Sequence, residues 1–129
     1  MADGAVNLEI SRKAAVDLSG SQYYAVRLDE TSGEVKLGNA TSSVAGIVQN
    51  APITNRAAGI RYQGESYAVC TGTITVMDYL AADDNGILTP TTTNTDKFIA
   101  RALDSKTEDG TSSTLSVVLS GFGGQERSS

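Results

Sequence analysis

The sequence predicts an all-β single domain, a small β-barrel or two-sheet sandwich of jelly-roll or tulip-like form with an extended N-terminal arm. Three observations predict it. Short segments of alternating or continuous apolar character recur at close intervals along the 129 residues. The residues between them are glycine, asparagine, aspartate and proline, which punctuate strands and turns. Composition agrees: serine, threonine, glycine and alanine are abundant and tryptophan is absent, which suits twisted strands better than a helical bundle. A chain of this length supports one core and would remove roughly two-thirds of its unfolded surface from water.

Taken in order, residues 1–12 form the arm. Val6, Leu8 and Ile10 alternate as a strand does, but Ala2-Asp3-Gly4-Ala5 before them has little apolar area to bury. The segment reads as an arm or edge strand that gains order against a partner or a neighbouring subunit. Residues 13–122 are the β domain. Its strands are expected at Tyr23 to Leu28, Glu34 to Leu37, Val44 to Gln49, Ala58 to Tyr62, Tyr67 to Val76, Tyr79 to Ala82, Ile87 to Thr89, Phe98 to Leu103 and Leu115 to Leu119. In the first of these, Tyr24, Val26 and Leu28 share one face while Tyr23, Ala25 and Arg27 share the other. Thr31-Ser32-Gly33 supplies a residue for positive φ, and Asn85-Gly86 predicts a tight type I′ hairpin. Val76 and Leu80 have helical spacing, yet Asp84-Asn85-Gly86 directly after favours a hairpin. Pro52 and Pro90 stand where strands end. Residues 123–129 read as a flexible tail.

The formal net charge is −5 and the ten basic residues are scattered, so no cationic surface for nucleic acid is expected. Histidine is absent and Cys70 is the single cysteine. That removes histidine acid–base chemistry, the usual zinc sites and any intrachain disulfide. No apolar run approaches membrane-spanning length, and Met1-Ala2-Asp3-Gly4 has no basic stretch leading into an apolar one. Synthesis in a reducing cytoplasm is expected, with no membrane partner.

The remaining motifs favour structural roles. Asp83-Asp84-Asn85-Gly86 lacks the later glutamate of a calcium loop and reads as a turn. Asp78, Asp83 and Asp84 could supply the acid–base pair of a hydrolase, a remoter alternative, but Asp83 and Asp84 are adjacent on a turn and read as solvated. Gly121-Phe122-Gly123-Gly124 has neither the lysine nor the helix of a phosphate loop. Cys70, inside Tyr67-Ala68-Val69-Cys70, reads as a buried small hydrophobe. No catalytic, cofactor-binding or metal-binding residues are expected, and the chain reads as a non-enzyme. Five tyrosines on a β scaffold leave a carbohydrate-binding module as the alternative, although strand parity sends Tyr23 and Tyr24 to opposite faces.

The order of several blocks resembles the capsid cement, or head decoration, proteins of tailed bacteriophages. These blocks are Asp17-Leu18-Ser19-Gly20 before Gln22-Tyr23-Tyr24, Gly46-Ile47-Val48-Gln49-Asn50-Ala51-Pro52, Asp78-Tyr79-Leu80 ahead of Asn85-Gly86, Ile99-Ala100-Arg101-Ala102-Leu103 and Leu115-Ser116-Val117-Val118-Leu119. The resemblance runs from about Asp17 to Leu119. It departs at Ile60 to Tyr67, where tyrosines and charged or amide residues replace smaller ones. It implies a virion protein on the capsid exterior, a trimer or similar homo-oligomer, with the major capsid protein as partner and no cofactor. Val6, Leu8, Ile10, Tyr62, Tyr67 and Phe122 are the candidate residues for meeting the shell or a sister subunit.

Overall fold

A computed structural model describes residues 7–41, 43–91, 97–121, 125 and 126. The described residues are all β, without helix. The strands are β1 (Leu8–Lys13), β2 (Ala25–Leu28), β3 (Val35–Leu37), β4 (Gly46–Val48), β5 (Ala57–Cys70), β6 (Tyr79–Ala82), β7 (Leu88–Pro90), β8 (Lys97–Phe98), β9 (Ala100–Ala102), β10 (Ser113–Ser120) and β11 (Gln125–Glu126).

One long strand organises the rest. The 14 residues of β5 alternate, with Ala58, Ile60, Ser66, Ala68 and Cys70 inward, so a single strand can serve two cores along its length. Its C-terminal half pairs with β10 and, at Cys70, with β7; β7 pairs β6, β6 pairs β9 and β9 pairs β10, closing a five-stranded barrel. Its N-terminal half pairs with β1 and β4, and β2 and β3 follow outward from β4. A parallel bridge between Ala14 and Val35 ties the end of β1 back to β3.

Two apolar cores result. Leu80, Leu88, Ile74, Val117 and Ile99 fill the barrel with Cys70 and Ala68. Leu18, Val26, Val35, Val48 and Ile60 fill the second core, with Ile10 packed against it. β2 and β4 form the wall between them. Ala25 and Ile47 face the barrel core, their neighbours Val26 and Val48 face the second, and all four are fully buried.

Three expectations are corrected. The segments Ala58 to Tyr62 and Tyr67 to Val76 are one strand that ends at Cys70, running through Gly64, whose φ of +99° suits a residue without a Cβ. The turn at Asp83 to Ile87 is not type I′, because of its residues only Gly86 has positive φ. The Asp83 side chain reinforces the loop: its Oδ1 accepts the N–H of Asn85 at 2.8 Å and of Ile87 at 3.0 Å, alongside the backbone bonds from the Asp83 N–H to the Ile87 carbonyl and from the Gly86 N–H to the Asp83 carbonyl. Phe98 to Leu103 is divided into β8 and β9 at Ile99, whose side chain turns into the barrel core.

Other expectations agree with the structure: β6 has the expected bounds, Gly33 takes φ +69° between β2 and β3, and Pro90 is the last residue of β7. At the ends of the chain, Leu8–Lys13 is a strand on the chain's own β5, and Gln125–Glu126 pairs with Lys97–Phe98. Leu8 and Ser120 both stand opposite Gln63, so β1 begins where β10 finishes.

Candidate functional site

The barrel's exterior is built by the same alternation that fills its interior. Where Ser66, Val117, Ala100, Ala102 and Leu80 point in, the residues between them point out. Register then sets side chains from four strands in one row: Glu65 stands opposite Val118, Val118 opposite Arg101, and Arg101 opposite Tyr79. The neighbouring row pairs Tyr67 with Ser116. Beside it lies the turn carrying Val76 and Met77, each 48% exposed, with the Met77 N–H donating to the Ala102 carbonyl. Exposed apolar side chains gathered on one face mark a contact surface more than any of them singly.

Arg101 is held in place at the centre. Its guanidinium lies 4.4 Å from the Tyr79 ring centroid and its Nε donates to the Met77 carbonyl at 3.0 Å. Tyr79 in turn meets Phe98 edge to face at 4.6 Å. Tyr67 is 55% exposed and leans on Tyr23, with centroids 5.5 Å apart.

Of the candidate residues, Val6 and Phe122 lie outside the described residues. Leu8 is exposed at the start of β1, whereas Ile10 turns toward the second core. Tyr62 and Tyr67 differ in parity along β5 and therefore point to opposite faces, so they do not form one patch. Of the four described candidates, Tyr67 alone joins the barrel's outer face. Glu65, Arg101, Val118, Val76 and Met77 were not singled out as surface residues by sequence reasoning. The alternation Ala100-Arg101-Ala102 carried the signal for Arg101.

The carboxylates raised as acid–base or calcium candidates accept backbone N–H groups, Asp78 and Asp83 within their own turns and Asp84 from a separate loop. Asp78 accepts the Thr75 N–H, Asp83 those of Asn85 and Ile87, and Asp84 that of Ala40. Among the described residues no group of three or more aspartate, glutamate or cysteine side chains is placed to hold a metal. Asp109 is held down at about 2, first by the hydroxyl and N–H of Thr111 and then by the ammonium of Lys106, which is itself nearly buried. A shallow cleft of about 340 Å³ lies beside Arg27, Glu30 and Thr41.

Cys70 is fully buried and burial pushes its thiol up to about 12. Reaction of the native protein with a neutral-pH thiol reagent should therefore proceed only at the rate of opening, and fast stoichiometric labelling without denaturant would contradict the structure.

No protein-family model matches the chain, and no curated protein matches it. The fold does have a solved counterpart. It is similar to the N base of the head fiber gp8.5 in bacteriophage phi29, with a TM-score of 0.68 over 89% of this chain and 95% of that chain. The two sequences are 12% identical, so the likeness is one of fold.

Proposed function

We propose that this chain is a structural protein of a bacteriophage virion that binds the outer surface of the capsid as an oligomer, in the manner of the decoration proteins, and stabilises the shell. One observation carries the reading: a fold shared along nearly the whole of both chains with the base of a phage head fiber. The order of sequence blocks from Asp17 to Leu119, read independently, supports the same class of protein.

The physics suits the part. An oligomer seated at a junction of the lattice touches several coat subunits, and each contact raises the effective concentration of the next. Contacts formed only on the assembled shell stabilise that state by linkage, with no catalytic group required. The trimer is the closed assembly favoured by the sequence resemblance, and a ring of this kind offers identical faces to a symmetric lattice.

The test is to mix purified protein with undecorated, expanded capsids and image the product. Regular added density on the shell, together with a raised melting temperature of the capsids, is expected. Unchanged shells at saturating protein would reject the proposal. Binding to a glycan array in that case would point to the carbohydrate-binding alternative, for which exposed Tyr67 is the available stacking surface.

A further inference from the structure

Asn85 and Gly86 lie in the turn between β6 and β7, and Asn85 has a chemical liability that no other described asparagine shares. Asn7, Asn39 and Asn50 each engage their side-chain oxygen, accepting the N–H of Glu65, Thr41 and Gly59 respectively. Asn55 precedes Arg56, whose side chain crowds the backbone nitrogen. Asn85 is exposed, its carboxamide has no hydrogen-bond partner among the described residues, and the next nitrogen belongs to a glycine with no Cβ to shield it. The turn around it is also a clasp. The Gly86 carbonyl accepts the Ala25 N–H of β2 at 2.7 Å, and the Asp84 carboxylate accepts the Ala40 N–H beyond β3 at 3.1 Å. The Gly86 N–H reaches the Asp83 carbonyl at 3.2 Å, longer than the 2.8 Å bond from the Asp83 N–H to Ile87.

We propose that Asn85 is a site of spontaneous covalent modification, deamidation through a cyclic imide, and that the lengthened product opens this clasp. The Gly86 amide nitrogen gives up its proton to hydroxide and bonds to Asn85 Cγ. The Cγ–Nδ2 bond then breaks, and the nitrogen leaves as ammonia after taking a proton from water. A second water adds across one of the two carbon–nitrogen bonds of the imide. Opening at Cγ yields aspartate, whereas opening at the main-chain carbonyl yields isoaspartate, whose backbone is longer by the side-chain methylene. Either product sets a new carboxylate beside Asp83 and Asp84, and isoaspartate does more. Gly86 has no room to shift toward β2: a Cβ there would lie 2.6 Å from the Ala25 carbonyl oxygen and 3.3 Å from Leu37 Cδ2. The longer loop must bulge into solvent, which breaks the Gly86 bonds to Asp83 and Ala25. The inference does not depend on the capsid reading above.

Ageing the native protein tests it. The folded chain and an isolated peptide spanning Ala82 to Leu88 are incubated side by side in warm, mildly alkaline buffer and followed by peptide mapping with mass spectrometry, with enzymatic methyl labelling to count isoaspartate. A gain of about 1 Da is expected at Asn85, where nitrogen gives way to oxygen. Its rate should rise with pH and lie within roughly tenfold of the peptide's, since Asn85 is exposed on a loop whose local opening costs little. Asn85→Gln, whose imide ring would need six members, should stay unmodified. In urea, the isoaspartate fraction should unfold at a lower midpoint than Asn85→Asp, which carries the same charge on a backbone of ordinary length.

A native chain unmodified at Asn85 after the peptide has fully converted would overturn the site. The same mass gain persisting in Asn85→Gln would place the chemistry elsewhere and overturn it too. Equal midpoints for the isoaspartate fraction and Asn85→Asp would show that the turn absorbs the longer backbone, which overturns the opening of the clasp.

Discussion

Gly46→Val is expected to abolish the native fold, and Gly46→Ala to remove about 3 kcal/mol of stability. β4 approaches β5 so closely here that a Cβ on residue 46 would strike the Arg61 carbonyl and come within 2.9 Å of Ile60 Cγ2. Neither strand can yield. β5 is held on its other edge by the Ile10–Ile60 and Glu9–Arg61 pairs of β1, reinforced by the Arg61–Glu9 ion pair at 2.7 Å. Moving β4 instead would part Ile47 from Arg61 and Val48 from Ile60, and would open the wall between the two cores. Urea unfolding of the alanine variant, followed by tyrosine fluorescence, measures the cost. A midpoint unchanged from that of the parent would show that the strands can separate after all.

The second large effect concerns cooperativity. Ile60→Ala in the smaller core and Leu80→Ala in the barrel core should each cost about 2–5 kcal/mol, since both side chains are fully buried. Both should lower the midpoint of one and the same transition. The cores share β5 along its length and share β2 and β4 as their dividing wall, so neither can melt and leave the other enclosed. Calorimetry with calorimetric and van't Hoff enthalpies in agreement is the check. Two resolved transitions, each moved by only one of the substitutions, would show that the halves fold separately.

Much of the strand content was legible because alternation and turn chemistry are local. Tyr79-Leu80-Ala81-Ala82 shows its burial pattern directly, and the opposite faces of Ala25 and Val26 follow from parity alone. Gln63-Gly64-Glu65 misled for a physical reason. Two polar residues around a glycine have the composition of a turn, yet in a strand with one solvated face they are the outward residues and the permissive one between them. Asn85-Gly86 marked the right place but the wrong turn, since Gly86 alone takes positive φ and the Asp83 side chain joins the backbone in closing a longer loop.

The candidate surface was legible only in fragments. Tyr67 stood out as an aromatic without an obvious place in the core. Its neighbours did not, because Glu65, Val118, Arg101 and Tyr79 come from four strands separated by up to fifty-odd residues. Their row exists only once register is set, and register between distant strands is not written in any local pattern. The two cores were hidden likewise: nothing in the alternation of β5 says that its two halves face different interiors.

The meeting of Leu8 and Ser120 at Gln63 has a practical side. Two residues paired with a common third lie within about 10 Å of each other, a gap that three or four glycines and serines can span. The large sheet is thus nearly a closed circle, and a circularly permuted version, opened at the exposed Glu108 to Ser112 loop, keeps every pairing of that sheet while giving up the β8–β11 pair. A peptide cargo fused after Ser120 and one fused before Leu8 would leave the molecule from the same spot. For surface display, the choice between the two ends then becomes a matter of cloning convenience rather than of geometry.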